Sequence, residues 1–257
     1  MRPKTLIKAA IRIVRKYALP ADLRKKSVAR ALDRLAAEEP SSLHEEAEAV
    51  NKMLKVVNRH SFLIWPKNLN GTSIMRTGPE PAVGIRASNG ALRLTIPTGM
   101  GLLDVEKIRD ALRRHSGKIV IDLSSNEGGD MRPLFLALTP LLPAGTPLVD
   151  FVREGAKPLH VVQGEAALVF TRRRVLLAPL QLKNVFVVVG RRTASSAEIV
   201  ALALKGHGAI LLGEPTAGFL SNNVMFKAPG GFVVNLTYSR ISLPGRAATR
   251  QRLVPNR

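Results

Sequence analysis

The string RTASSAE, residues 192–198, sets two serines side by side after the β-branched run VFVVV and before an apolar helical pattern. A hydroxyl at such a strand-to-helix junction lies at the positive end of a helix dipole. Backbone N–H groups there stabilise anionic species, so the place suits a nucleophile and the oxyanion it creates. The same residues also have the spacing of a capping box, Ser195 to Glu198, which needs no chemistry at all. Local spacing leaves both readings standing.

A serine hydroxyl is a weak nucleophile and needs a base, most often histidine. The chain has five histidines. His207 sits at the far end of the helix predicted to start at the serine pair, about 18 Å away at ~1.5 Å per residue. His44 and His115 fall on predicted surface helices, and His160 falls in a β-rich insertion. His60, in NRHSFLIWP, is the remaining base candidate. His44 with Glu45, Glu46 and Glu48 lacks the second histidine of H-E-x-x-H, so it reads as a solvated helix start and no metal is expected.

An oxyanion needs donors. The segment KIVIDLSSNEGGD, residues 118–130, is a predicted strand running into a polar turn with Gly128 and Gly129 adjacent. Glycines let backbone amides approach a ligand without side-chain obstruction, so this turn offers a second set of N–H groups beside an ordinary strand-to-helix connection. No G-K-[ST] follows, which excludes a Walker loop.

The elements that would position these residues follow from hydrophobic period. Residues 1–19 make an amphipathic helix with Leu6, Ile7, Ala10, Ile11, Ile13, Val14 and Tyr17 on one side and Lys4, Lys8, Arg12, Arg15 and Lys16 on the other. Three readings fit: packing in a small bundle, lying on an anionic membrane surface, or an Arg-rich, acid-poor organelle-targeting segment, the last disfavoured by its lack of serine. A second helix is expected over about 21–37. A third, opened by Ser42 and Glu45 in capping-box register, runs to about Val57. Beyond Pro66 a Gly/Asn/Thr/Pro-rich loop runs to about Val83. Strands then alternate with helices: Ala91–Ile96, Ile119–Leu123, Val185–Val189 and Ile210–Leu212 with Asp104–His115, Arg132–Leu142 and Ser196–Lys205. That alternation predicts an α/β core with largely parallel strands. Residues 144–183 interrupt it as a cap-like β-rich insertion, and Val224–Lys227 with Phe232–Leu236 form a hairpin around Pro229-Gly230-Gly231. The expected division is an N-terminal helical bundle (1–57), a His-bearing connector (58–83) and the α/β core (84–257).

Composition bounds the function. The 257 residues are 46% hydrophobic, which supports a buried core. There is no cysteine, hence no disulfide, Cys-ligated zinc or thiol nucleophile. The 39 basic against 19 acidic side chains give a formal charge of +20, which attracts polyanions. Aromatics are only 4%, so stacking platforms for single strands are lacking and nucleic acid is a poor partner. The sequence displays no signal peptide and no apolar run long enough to span a membrane, so a soluble or peripheral protein is expected.

The pieces together resemble the C-terminal-processing, or tail-specific, family of serine peptidases. IDLSSNEGG followed by Pro133 is similar to its D-L-R-x-N-x-G-G…P motif, and RTASSAE to its nucleophile motif. GEPTAG (213–218) is similar to G-E-x-T-x-G, and LTYSRISLPGR (236–246) to its closing strand. The resemblance runs from about His60 to Arg246. It implies that Ser195 is the nucleophile, with Ser196 and the Gly128/Gly129 turn as oxyanion hole. It makes Ser61, Asn126 and Glu198 supporting residues, and Thr193, Ala194 and Gly218 substrate-binding ones. Most members carry a Lys base just after G-E-x-T-x-G, where this chain has Phe219. The branch without that Lys, which includes nisin-resistance and tricorn peptidases, uses an N-terminal histidine, and His60-Ser61 matches it. The resemblance further implies a helical bundle, a cap over a cleft and a crotonase-like (ClpP-like) α/β spiral core; no PDZ module is expected, because one, common in the family, does not fit in the segment between His60 and Gly84. No cofactor is implied. The expected activity is endopeptidase cleavage of an extended peptide near its C-terminus through a Ser-His dyad, with a lantibiotic-type peptide as the sharper version. Two other classes stay open: a peptidase-like protein that binds peptide without turnover, and a basic binder of membrane surface or nucleic acid.

Overall fold

In the computed structural model, which describes residues 4–66, 82–98, 102–248 and 252–255, the chain opens with α1 (Thr5–Tyr17), α2 (Pro20–Leu23), α3 (Lys26–Ala37) and α4 (Leu43–Val57). Strands β1 (Phe62–Ile64), β2 (Gly84–Ser88) and β3 (Ala91–Thr95) precede α5 (Leu102–Arg113), β4 (Lys118–Asp122) and α6 (Met131–Ala137). Next come β5 (Pro147–Val152), β6 (Leu159–Val162), β7 (Val169–Thr171) and β8 (Val185–Val189). Helix α7 (Ser196–Gly206), β9 (Ile210–Gly213), β10 (Ser221–Lys227) and β11 (Val233–Ser242) complete the order. The loop expected between Pro66 and Val83 lies, over residues 67–81, outside the described residues. The fold class is mixed α/β.

The chain divides into two compact units. The helical unit comprises residues 1–78, 153–155 and 221–239. Its core is one apolar cluster in which Leu6, Ile7, Ala10, Ile13 and Val14 of α1 meet α3, α4, β1 and the start of β11. The apolar stripe of α1 is therefore spent on packing in the helical unit, as the bundle reading expects. The buried Glu46 carboxylate accepts the Ile7 amide at 2.9 Å and satisfies a donor in the first turn of α1. Ser42 caps α4 by accepting the Glu45 amide, as its spacing predicts. The helix expected over 21–37 is broken. Lys25 is extended, and the buried Asp22 carboxylate takes hydrogen bonds from Lys25 Nζ at 2.6 Å and Asn58 Nδ2 at 3.0 Å. Satisfying that buried carboxylate outweighs continuing the helix. Strand β1 pairs antiparallel with β11 in the register Phe62↔Asn235, and β10 also pairs with β11.

The α/β unit comprises residues 79–152, 156–220 and 240–257. Its main sheet has the order β2-β3-β4-β8-β9. Strands β3, β4, β8 and β9 are parallel, with Thr95 beside Asp122, Asp122 beside Val188, and Val189 beside Gly213. That alignment brings the turns leaving these strands to one end of the sheet, the carboxyl end at which open α/β sheets bind ligands. Strand β2 was not evident in the sequence, because GIRAS is nearly all exposed and carries no alternating pattern. Helix α6 is shorter than the expected Arg132–Leu142 and gives way to turns after Ala137. The insertion is β-rich as expected: β5, β6 and β7 form an antiparallel ladder, with β5 also paired to the last three residues of β11.

Candidate active site

Strand β8 delivers Gly190 to the carboxyl edge of the sheet, and a short turn returns the chain into α7. Thr193 fixes the turn: its hydroxyl donates to Leu123 O at 2.8 Å and accepts the Gly190 amide at 2.9 Å. The Ala194 amide donates to Asn126 O at 3.0 Å. Ser195 follows at φ 54° and ψ −117°, a backbone state that costs a non-glycine residue about 1–3 kcal/mol. A serine in this strained state between a strand and a helix has the backbone form of an elbow, with the next amide at the helix N-terminus.

The elbow needs space beside it, and Gly128 provides it. A Cβ on Gly128 would lie 2.7 Å from Ser195 Cβ and 2.8 Å from Ala194 O, and its φ of +101° is itself glycine territory. The Gly-Gly turn is held by Asn126, which is buried. Its Nδ2 donates to Ile96 O and Pro97 O at 3.2 and 3.0 Å, and its Oδ1 accepts the Gly128 amide at 2.9 Å. The Gly128 N–H is thus occupied and is removed from the expected oxyanion donors. Among the described residues the amides of Ser196 and Gly129 donate to no protein group. The buried Ser196 hydroxyl also has no partner. Across the turn, Arg192 donates to Glu127 Oε1 from Nε and from a terminal nitrogen at 3.0 and 2.8 Å, clipping the glycine turn to the elbow.

Glu198 is the buried hub. Its Oε2 accepts the amides of Ser195 at 3.0 Å and Phe219 at 2.7 Å. Its Oε1 accepts the Gly218 amide at 2.9 Å and the Thr216 hydroxyl. Burial pushes its carboxyl up, while the hydrogen bonds from Thr216, Gly218, Phe219 and Ser195 oppose that rise. The capping-box residues hold their expected arrangement, and the same contact locks the Ser195 amide. Thr193, Ala194 and Gly218, expected to bind substrate, have their donors committed inside the protein, and Thr193 O accepts the Ala217 amide at 2.9 Å. These donors hold the elbow and the 216–219 segment together. Sequence reasoning missed Thr216 and the Phe219 amide, whose link to Glu198 is a tertiary contact.

In the helical unit, His60 follows α4 with its amide on Asn58 Oδ1 at 3.0 Å and its carbonyl accepting from Asn223 Nδ2 at 2.7 Å. Its Nδ1 lies 2.7 Å from Ser221 Oγ. With Nδ1 carrying the hydrogen, Nε2 is the basic nitrogen. Burial, then the positive charges of Lys55 and Arg59, lower its pKa to about 4, so the ring is neutral near pH 7. Ser221 is a partner the sequence did not reveal. Ser61 accepts the Thr237 amide at 2.9 Å and donates to Thr237 Oγ1 at 3.3 Å, so it pins the chain entering β1. His207 and His160 are structural. The first bonds the Leu180 amide and Pro147 O, and the second pairs with the buried Asp150 at 2.6 Å.

An elbow serine, two open amides and a glycine turn at the carboxyl edge of a parallel sheet are the parts of a serine hydrolase site. Residues 99–256 match Peptidase family S41, well over half of the chain, and the chain belongs to that family. Among curated proteins it is 28% identical over 219 residues to the nisin-resistance protein of Lactococcus lactis subsp. lactis, covering 78% of this chain and 66% of that protein. The chain thus spans slightly less than two thirds of that relative's length. Among solved structures it is similar to a lipoprotein from Streptococcus agalactiae, with TM-score 0.74, 18% identity, and 98% and 90% of the two chains covered. It is also similar to the photosystem II D1 C-terminal processing protease, with TM-score 0.59, 15% identity, and 98% and 91% covered. These structural likenesses extend the shared fold over the whole chain.

Proposed function

We propose that this chain is a serine endopeptidase in which Ser195 is the nucleophile and His60 its general base. The neutral His60 takes the Ser195 proton as Oγ attacks the scissile carbonyl, forming the C–O bond while the carbonyl oxygen becomes an oxyanion. The amides of Ser196 and Gly129 receive that oxyanion. The imidazolium then protonates the leaving amine, the C–N bond breaks, and water releases the acyl group by the same route in reverse. Ser221 holds the histidine tautomer, in place of the carboxylate of a Ser-His-Asp triad. It stands two residues beyond Phe219 in sequence, so the strap that carries Lys in most relatives here continues to the residue that orients His60.

The observation that carries this reading is the strained Ser195 backbone beside Gly128 with two unengaged amides, an arrangement a helix cap does not require. The substrate class is an extended peptide. The nisin-resistance relative favours a lantibiotic-type peptide, and the C-terminal-processing resemblance favours cleavage towards the C-terminal end. Such peptides are cationic, so encounter with a +20 chain is predicted to speed up as salt screens the repulsion. A fluorophosphonate probe tests the nucleophile: labelling should be stoichiometric in the wild type, absent in Ser195→Ala and strongly slowed in His60→Ala. Undiminished labelling of Ser195→Ala would remove the assignment. Peptide binding without turnover, equal in wild type and His60→Ala, would instead make this a silent peptidase-like binder.

A further inference from the structure

Four of the exposed large apolar side chains of the α/β unit fall in one stretch of sequence, the others being Ile85, Ile210, Leu212 and Val254. Val169, Phe170, Leu176 and Leu180 are 50%, 46%, 63% and 41% exposed and lie within a single short stretch of chain. The stretch is anchored at both ends. Strand β7 pairs with β6 through Val162↔Val169 and His160↔Thr171, and beyond it the Leu180 and Leu182 amides bond His207. Phe170 is further held 6.2 Å from the Phe151 ring. Strand β7 ends its ladder, so its outer edge is unpaired among the described strands.

The charge of the same stretch is one-sided. Residues 166–183 include Arg172, Arg173, Arg174 and Lys183, all exposed, and no Asp or Glu. None of these four forms an ion pair among the described residues. Exposed aliphatic and aromatic groups beside unneutralised cations are what an anionic bilayer surface accommodates: the cations meet phospholipid headgroups and the apolar groups enter the acyl boundary. A second copy of this chain fits poorly, because a two-fold contact would set the arginines against themselves. A cationic peptide is repelled for the same reason.

We propose that residues 169–183 dock the protein on anionic phospholipid membranes. The membrane contact that the sequence suggested for α1 is thereby reassigned, since the apolar side of α1 is buried while this segment offers both apolar and cationic groups. The proposal is independent of the peptidase reading and is tested without turnover. The full chain is sedimented with sucrose-loaded vesicles of phosphatidylcholine alone, or of phosphatidylcholine and phosphatidylglycerol in equal parts. Binding is expected only to the second. The triple variant Arg172→Ser/Arg173→Ser/Arg174→Ser should lower the partition coefficient roughly a hundredfold. Phe170→Ser/Leu176→Ser should lower it about tenfold or more. Wild-type circular dichroism and melting show that each variant is folded. Wild-type partitioning of either folded variant would overturn the proposal. So would loss of binding confined to Lys8→Ser/Arg12→Ser/Arg15→Ser on α1. Self-association that Phe170→Ser/Leu176→Ser abolishes, with no vesicle binding by the wild type, would reassign the segment to a protein interface.

Discussion

Replacing Glu198 by glutamine tests the hub beneath the nucleophile. The carboxylate accepts four hydrogen bonds, two on each oxygen, and glutamine offers one carbonyl oxygen and one NH2 group. The least costly rotamer keeps the oxygen on the Ser195 and Phe219 amides and turns the NH2 towards Thr216 and Gly218. Thr216 tolerates this, because its hydroxyl can turn to accept, although it already receives the Leu253 amide at 3.0 Å. The Gly218 N–H then faces a donor in a dry site. One stranded amide and one weakened hydroxyl cost about 2–4 kcal/mol, at roughly 1–3 kcal/mol for each buried group that loses its partner. The Ser195 amide keeps an acceptor, but a neutral one, so the elbow loosens without unfolding. Urea denaturation should register the loss in midpoint at unchanged slope. Turnover of a peptide substrate should fall in kcat with KM nearly constant, since the change alters the nucleophile's position and touches no substrate. Wild-type stability and wild-type kcat in Glu198→Gln would refute the hub. A rise in KM alone would place Glu198 in substrate binding instead.

Gly128→Ala forces a methyl group to within 2.7 Å of Ser195 Cβ at a left-handed φ. Fluorophosphonate labelling should drop by about a hundredfold or more, in line with losing an oxyanion-hole geometry, at a stability cost of a few kcal/mol. The pH profile reports His60. With its pKa lowered from 6.5 to about 4, the acid limb of kcat/KM should fall near pH 4 rather than near 6.5. The same depression sets a stability window. The folded state binds fewer protons than the unfolded one, so the contribution is complete above pH 6.5 and is lost as pH falls towards 4. Its size is roughly 3 kcal/mol at ~1.36 kcal/mol per unit, and His60→Gln should flatten the fall in denaturation midpoint across that range.

Much of the α/β unit could be read from local pattern. VFVVV gives a strand in any context that buries it, and Val185–Val189 is the strand observed. The capping-box spacing of Ser42 and Glu45 places the start of α4, because a first-turn amide needs an acceptor wherever the helix lies. RTASSAE and the Gly-Gly turn were each visible as candidates. Other features depend on partners distant in sequence. Helix α2 breaks from α3 because Asp22 meets Asn58, 36 residues away, and no window of the sequence contains both. The Gly128 amide is withdrawn from the oxyanion set by an Asn126 side chain that folds back on its own turn. The buried Thr193 hydroxyl ties the end of β8 to Leu123 O, a contact no local pattern records.

By itself the sequence determined most of the core strands and helices, the glycines that let an elbow form and the serine that occupies it, because backbone propensity and steric freedom act within a few residues. Tertiary structure decided what those residues face. It turned the apolar side of α1 inward, set Ser221 on His60 across 161 residues of chain, and drew the 216–219 strap onto Glu198. The physical reason is desolvation. A buried carboxylate, an imidazole or an apolar stripe must find its partner wherever the fold supplies one, and sequence spacing carries no record of that choice.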